Sequence, residues 1–96
     1  MSKLTIIANI IAKESQAEFV KAELIKLIDK TRAEDGCINY DLHQDNDNPA
    51  HFVFHENWTS EAALDKHLAS THIADYVAAV DGAVETFTIN RMTHIA

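Results

Sequence analysis

The stretch CINYDLHQDNDNPAHFVFHENW, residues 37–58, decides the fold. Its first eight residues, 37–44, and its last eight, 51–58, place successive side chains on alternate faces, with apolar residues concentrated on one of them, as in a β-strand. Residues 45–50, DNDNPA, favour a turn, because Asn and Asp tolerate unusual backbone angles and Pro lacks a backbone donor. The stretch therefore predicts a β-hairpin.

A long amphipathic helix is predicted before the hairpin. Apolar side chains recur there at three- and four-residue steps, which places one apolar stripe along a helix. Ser15 stands three residues before Glu18, the spacing of a capping box that satisfies free N–H groups at a helix start. We expect the helix to run from about Ser15 to Glu34 and to stop near Gly36.

Two shorter helical pieces are predicted after the hairpin. Thr59 or Ser60 can cap the first piece, and Ser70 or Thr71 can cap the second. Their hydroxyl groups accept hydrogen bonds from the free N–H groups of a first helical turn. The chain is therefore expected to break its second helical region at Ser70 or Thr71.

Strands are predicted near both ends of the chain. LTIIANIIA, residues 4–12, is rich in Ile, and VETFTINRMTHI, residues 84–95, is rich in Thr, Phe and Ile. The element order is then strand, helix, strand, strand, helix, strand, the split βαβ arrangement of a ferredoxin-like α+β fold. We predict a single domain, residues 1–96, in which helices cover one face of a four-stranded antiparallel sheet.

The first strand also suggests an assembly. Residues 4–12 are apolar on both alternations, which is typical of a strand covered on both faces. The helices would cover only one face of the sheet. A second copy packed sheet against sheet is the simplest cover for the other face, so a homodimer is expected.

Composition and charge exclude several classes of protein. The net charge of -7, with no basic cluster, disfavours nucleic acid as a partner. Cys37 is the only cysteine, so no internal disulfide can form. The chain has neither a signal-peptide pattern nor an apolar run that could span a bilayer, so a cytoplasmic protein without a membrane partner is expected.

Two residues of the predicted strands could serve a site or only the core. Asn9 interrupts an apolar strand, and an unpaired buried amide costs roughly 1–3 kcal/mol. Either a neighbouring group satisfies Asn9 or it points into a pocket. Trp58 ends its strand and is most simply a core residue, although its indole N–H needs a partner when it is buried.

His67 and His72 are the candidates for proton transfer. A lone histidine on the apolar side of a helix is usually a core residue, but it is also the side chain that exchanges a proton near neutrality. On one continuous helix the two would lie about 140° apart, so shared metal ligation is not expected. If the helix breaks at Ser70, His72 begins the next piece, as a cap or as a neutral base.

Glu56 alternates with Phe54 and Trp58, so it is expected to face the helices. Buried carboxylates are rare unless paired, and Arg91 or a histidine is the expected partner. Tyr40 faces the same way and needs an acceptor for its hydroxyl. The chain lacks a phosphate-binding glycine loop, a paired-cysteine metal motif and a Gly-x-Ser-x-Gly elbow, so nucleotide binding, structural zinc and a hydrolase triad lose support.

Residues 34–76, EDGCINYDLHQDNDNPAHFVFHENWTSEAALDKHLASTHIADY, resemble the antibiotic biosynthesis monooxygenase family. Members of that family carry an acidic-Gly-Cys opening, an aromatic hairpin, Glu-x-Trp and a histidine on each side of a short linker. Each motif is weak alone, but their combination and order are fairly specific. The resemblance implies a dimeric α+β barrel with a pocket in each subunit between the sheet and the helices.

The resemblance also implies roles for individual residues. Some members oxygenate quinols or polycyclic phenols with O2 and use neither metal nor flavin, whereas relatives degrade haem or isomerise a phosphorylated signalling sugar. By strand position, Asn9 resembles the first-strand asparagine of oxygenating members. Trp58 resembles the pocket tryptophan, and His67 the helix histidine that faces the substrate or binds haem iron.

The preferred hypothesis is a cofactor-independent monooxygenase acting on a small aromatic quinol or polyphenol, with no metal site. His67 or His72 would take the phenol proton, and Asn9 with the Trp58 indole would stabilise the oxyanion. The other predicted substrate contacts are side chains of the strands: Tyr40, Phe54, Glu56 and Arg91.

Two alternatives remain open from the sequence. The first is an isomerase of a small phosphorylated dicarbonyl, in which His67 and His72 would move protons and Lys66 or Arg91 would bind the phosphate. The second is a dimer that binds haem or another small molecule without turnover.

Overall fold

The computed structural model describes residues 3–96 and contains four strands and four α-helices. The elements in chain order are β1 (Leu4–Ala12), α1 (Ala17–Ile25), α2 (Ile28–Arg32), β2 (Cys37–Gln44), β3 (His51–Trp58), α3 (Glu61–Leu68), α4 (Thr71–Ala79) and β4 (Val84–Met92). A short 3-10 turn, Glu14–Gln16, precedes α1. Among residues 3–96, no helix is long and apolar enough to cross a membrane.

The four strands form one antiparallel sheet in the order β2-β3-β1-β4. This order confirms the predicted ferredoxin-like α+β fold. Both strands of the hairpin have the predicted bounds. β3 buries Phe52, Phe54 and Glu56 on one alternation, whereas in β2 only Tyr40 is buried and Ile38 is half exposed. β4 ends at Met92, three residues before the predicted end at Ile95.

The prediction of one helix from Ser15 to Glu34 is wrong. The N–H of Leu27 bonds to the carbonyl of Leu24, three residues back, and this tighter turn separates α1 from α2. Ser15 lies in the 3-10 turn, and its side chain caps neither helix within the described residues. The apolar stripe continues from α1 into α2, so the sequence pattern does not reveal the break between them.

The helical regions after the hairpin agree with the prediction. Ser60 accepts a hydrogen bond from the N–H of Ala63 at the start of α3, and Ser70 accepts one from Ile73 at the start of α4. The second helical region therefore consists of two capped helices, as predicted. The break at Ser70 controls where the two candidate histidines lie.

The core lies between the sheet and the helices. Alternate residues of β1 are buried there, including Ala8 and Ile10, and Phe52, Phe54 and Trp58 of β3 share that face. The other residues of β1, such as Ile7 and Asn9, are partly exposed on the opposite face. The predicted homodimer would cover this second face, and it stays a prediction.

Candidate active site

A cavity of about 430 Å³ lies between the sheet and helices α1, α3 and α4. Its lining is mainly apolar, with Ala8 and Ile10 from β1 and other aliphatic side chains from the helices. Five side chains bring polar groups to it: Tyr40, Glu56, His67, Tyr76 and Asp81. No Lys or Arg occurs among the lining residues of the described chain, so the cavity favours a neutral, largely apolar ligand.

Glu56 brings a carboxyl group into this cavity from β3. Its Oε1 accepts a 2.9 Å hydrogen bond from the indole N–H of Trp58, two residues along the strand. Burial raises the pKa of Glu56 to about 7. The expected partner of Glu56 was Arg91 or a histidine, and that expectation is wrong: the indole of Trp58 occupies the position.

Arg91 belongs to the surface instead. It lies near the end of β4, where its Nε is 3.3 Å from Oε1 of Glu61 at the start of α3. Both side chains are about half exposed. Arg91 lies outside the cavity lining, so the expectation that it binds substrate there does not hold within this chain.

Aromatic rings surround the cavity-facing imidazole of His67. Tyr40 and Phe54 stack with centroids 4.2 Å apart, and both line the cavity. The centroid of the His67 ring lies 5.4 Å from that of the Tyr40 ring and 4.7 Å from that of the Trp58 ring. Tyr40 and Phe54, two of the predicted substrate contacts, therefore line the cavity. Trp58 is fully buried, packs on the His67 ring and donates its indole N–H to Glu56, so that N–H is not free for a substrate oxygen.

Burial raises the pKa of Tyr40 well above its usual range, and the nearby Glu56 adds to the effect. Burial also raises the pKa of Tyr76 to about 12. Both phenols therefore keep their protons at neutral pH. Neither phenol therefore competes with Glu56 or His67 as a proton acceptor in the cavity.

Glu34 connects the two candidate histidines. Its Oε2 lies 2.8 Å from Nδ1 of His67 and 2.7 Å from Nε2 of His72. The break at Ser70 makes this possible, because it turns α4 so that His72 reaches the same oxygen as His67. A continuous helix would have held the two imidazoles about 140° apart.

The histidine on α3 is placed as a proton acceptor. An ionised carboxylate only accepts hydrogen bonds, so Nδ1 of His67 carries the hydrogen that bonds to Glu34 and Nε2 keeps its lone pair. Burial lowers the pKa of His67, against the opposing effect of Glu34. His67 lines the cavity, while His72 and Glu34 lie outside its lining. His72 is therefore not placed to act directly on a ligand in the cavity.

Sequence reasoning missed Glu34 as a site residue. The turn after α2 positions it: the N–H of Glu34 bonds to Thr31, and the N–H of Cys37 bonds to the carbonyl of Glu34. Gly36 adopts a φ of +88° in this turn, and its carbonyl accepts a bond from Thr59. The acidic-Gly-Cys opening was the available signal, but the sequence did not show which side chains it would meet.

Asn9 lies on the opposite face of the sheet. Ala8 and Ile10 face the cavity, and strand alternation points Asn9 away from it. Its Oδ1 is 3.1 Å from Nε2 of His51, whose Nδ1 lies 3.5 Å from Asp45. The expectation that Asn9 shares a pocket with His67 is therefore wrong within this chain, and the imidazole of His51 pairs with its amide.

The sequence model for "Antibiotic biosynthesis monooxygenase" matches residues 4–79. The chain belongs to the antibiotic biosynthesis monooxygenase family. This membership supports a monooxygenase-like function. Residues 34–76, which carried the resemblance, contain Glu34, Glu56 and both candidate histidines. Asn9 and Arg91 lie outside that segment and outside the cavity lining. Two predicted site residues within the segment, Trp58 and His72, are also absent from the lining.

A curated protein and two solved structures are similar to this chain over most of their length. "Putative monooxygenase Rv0793" of Mycobacterium tuberculosis is 37% identical over 79 residues, covering 82% of this chain and 77% of that protein. The crystal structure of PA3566 from Pseudomonas aeruginosa has a TM-score of 0.95 and 33% identity, with 100% and 97% of the two chains covered. A solved antibiotic biosynthesis monooxygenase has a TM-score of 0.90 and 34% identity, with 97% and 99% covered.

Proposed function

We propose that this protein is a monooxygenase that oxidises a neutral, quinol-like aromatic with O2 and without an organic cofactor. The observation that carries the proposal is the apolar cavity lined by His67, whose far nitrogen is held by Glu34. A cavity of about 430 Å³ with aromatic walls has room for an aromatic substrate of one to three fused rings. The family and its members named as monooxygenases support the type of reaction.

The proposed reaction starts with a proton transfer. Nε2 of His67 takes the proton of a substrate hydroxyl, and the resulting phenolate is much easier to oxidise than the phenol. One electron passes to O2, and superoxide combines with the phenoxyl radical at a ring carbon. The peroxide O–O bond then breaks: one oxygen stays on the ring, and the other leaves as water with two protons. One quinol and one O2 thus yield one hydroxyquinone and one water.

Glu56 has a separate task in this scheme. The carbon that gains oxygen must also lose its hydrogen as a proton, and water formation needs protons returned to the peroxide. Glu56 lies on the cavity wall with a pKa of about 7, so both its protonated and ionised forms are populated near neutrality. We assign it as the second proton-transfer group, beside His67.

The isomerase alternative receives no support from the cavity. A phosphorylated substrate needs cationic contacts, and the described lining contains neither Lys nor Arg. Arg91, one of the two expected phosphate contacts, pairs with Glu61 at the surface. The haem-binding alternative keeps its own test: haem should give a Soret band that disappears in His67→Ala.

Oxygen uptake by the metal-stripped, full-length protein tests the proposal. The substrates are a panel of reduced quinones and anthrone-like phenols, each compared with its autoxidation in buffer. Uptake should exceed autoxidation in the wild type and in His94→Ala, which alters an exposed histidine beyond the end of β4. It should be lost in His67→Ala, and isotopically labelled O2 should place one labelled oxygen in the product.

Two results would contradict the proposal. Oxygen uptake equal to autoxidation with every substrate would rule out the proposed oxygenase reaction. Full turnover in His67→Ala would remove the proposed proton acceptor. Circular dichroism and thermal unfolding of each variant separate loss of chemistry from loss of fold, because a purely structural His67 would lose both together.

A further inference from the structure

We propose that Glu34, His67 and His72 form a binding site for a divalent transition-metal ion such as Zn²⁺ or Fe²⁺. Oε2 of Glu34, Nδ1 of His67 and Nε2 of His72 lie within 4.8 Å of one another. The inference goes beyond the proposed function, because the ion would lie behind His67. The cavity lining includes His67 but neither Glu34 nor His72.

The three ligand atoms bracket the separations of a coordinated set. Metal bonds to imidazole and carboxylate are about 2.0–2.2 Å long, so the ligand atoms of one tetrahedral ion lie about 3.4 Å apart, and the three atoms here all lie within 4.8 Å of one another. The two nitrogen atoms are already 2.8 Å and 2.7 Å from the Glu34 oxygen. Small side-chain rotations that spread these atoms would admit an ion, and the hydrogen of each imidazole would then lie on its other ring nitrogen. Nε2 of His67 could therefore not accept a substrate proton while the ion is bound.

The chemistry of the ligands selects the class of ion. Two imidazoles and one carboxylate form the set used by catalytic zinc sites and by non-haem Fe²⁺ proteins. Ca²⁺ and Mg²⁺ prefer sites built from oxygen atoms, so they fit this cluster poorly. Three protein ligands also leave at least one coordination position for water.

The cluster is held in place and can still be reached from solvent. The side chain of His67 is only 3% exposed, and its ring packs on Trp58. Glu34 follows α2 in a hydrogen-bonded turn, and His72 lies in the first turn of α4, directly after the Ser70 cap. Glu34 and His72 retain 17% and 15% of their side-chain exposure, which gives an ion an entry route.

A purely structural cluster is the competing explanation. In that case Glu34 accepts hydrogen bonds from both imidazoles, and these bonds stabilise the packing of α3 and α4 against the turn before β2. A structural cluster of this kind does not bind metal with one ion per chain. Direct measurement of binding therefore separates the two, with no need for turnover.

The experiment uses the full chain without an affinity tag, stripped with EDTA and titrated with Co²⁺. Visible d–d absorption reports imidazole and carboxylate coordination, and calorimetry with Zn²⁺ reports the stoichiometry. We expect one ion per chain in the wild type and in His55→Ala. Glu34→Gln and His72→Ala should each weaken binding by more than about tenfold, since even changes to groups behind the ligands have effects of that size.

An NMR measurement on the wild type removes any dependence on how the variants fold. Paramagnetic Co²⁺ should broaden the ring signals of His67 and His72 before those of His55. Absence of one-ion binding in the wild type, or binding that persists unchanged in both Glu34→Gln and His72→Ala, would overturn the metal site. Because the oxygen-uptake assay uses metal-stripped protein, the proposed oxygenase activity can fail or succeed independently of this result.

Discussion

Trp58 and Glu56 form a buried pair in which the indole N–H donates a 2.9 Å hydrogen bond to the carboxyl group. Trp58 is fully buried and Glu56 is 3% exposed, yet Glu56 also belongs to the lining of the cavity. The only tryptophan of the chain therefore holds an ionisable group against the ligand space. This relationship fixes the position of Glu56, the group proposed for the second proton transfer.

Replacing Glu56 with Gln should change how stability depends on pH. Folding raises the pKa of this carboxyl from 4.5 to about 7, so between these values the folded chain binds more protons than the unfolded chain. The contribution of Glu56 to the free energy of unfolding is therefore most favourable below pH 4.5 and is lost as pH rises to 7. The loss corresponds to roughly 3 kcal/mol.

In Glu56→Gln the side chain does not titrate, so the free energy of unfolding does not fall for this reason as pH rises. The Gln oxygen can still accept the hydrogen bond from Trp58. The stability of Glu56→Gln relative to the wild type should therefore increase as pH rises from 4.5 to 7, measured by urea unfolding at several pH values. Glu85→Gln, which changes an exposed glutamate of β4, is the matched control and should follow the wild type. Parallel curves for Glu56→Gln and the wild type would show that Glu56 does not titrate in this window.

Gly36→Ala should destabilise the fold strongly. Gly36 has a φ of +88°, which disfavours any side chain, and a Cβ at this position would lie 2.5 Å from Cβ of Ala63 and 2.8 Å from Oγ1 of Thr59. Gly82→Ala is a close control, because Gly82 has a φ of +82° but no described atom lies within 4 Å of its Cβ position. It should lose only the conformational cost, about 1–2 kcal/mol.

Urea unfolding of the two variants separates steric crowding from backbone strain. We expect Gly36→Ala to lose clearly more stability than Gly82→Ala, since α3 must shift away from the turn. The shift should also move Glu34 relative to His67 and reduce turnover. Equal losses in the two variants would mean that the turn before β2 and α3 are not packed as closely as described.

The hairpin could be predicted to the residue because its information is local. Apolar and polar side chains alternate along each strand, and the turn residues 45–50 mark where the two strands end. The break between α1 and α2 was not visible in the same way. Leu24 and Leu27 are both buried and three residues apart, a spacing that a continuous helix also permits.

The site was only partly predictable because its contacts are distant in the sequence. Glu34 lies 33 residues from His67 and 38 from His72, and no local period relates them. Both histidines reach Glu34 because Ser70 ends the region of α3 and caps α4. The sequence indicated either Ser70 or Thr71 as this cap. Asn9 was ambiguous for a different reason: both alternations of β1 are apolar, so the pattern could not show which face it occupied.

Ala8→Leu should close part of the cavity without damaging the fold. Ala8 is buried in the middle of β1, opposite Phe54 and Ile89, and it lines the cavity. A larger aliphatic side chain would extend into open apolar space, so stability should stay constant or rise by up to about 2 kcal/mol. The value of kcat/KM for quinol oxidation should fall by about tenfold or more, because small changes in pocket size have effects of this order.

Oxygen uptake together with thermal unfolding decides the outcome for Ala8→Leu. Ile7→Leu is the control, since Ile7 is the neighbouring strand residue on the opposite face and the change adds no volume. A loss of turnover in Ala8→Leu alone, at unchanged stability, would locate the substrate between the sheet and the helices. Unchanged turnover in a stable Ala8→Leu protein would mean that the substrate does not occupy this cavity, and His67 would then lose its place as the proton acceptor.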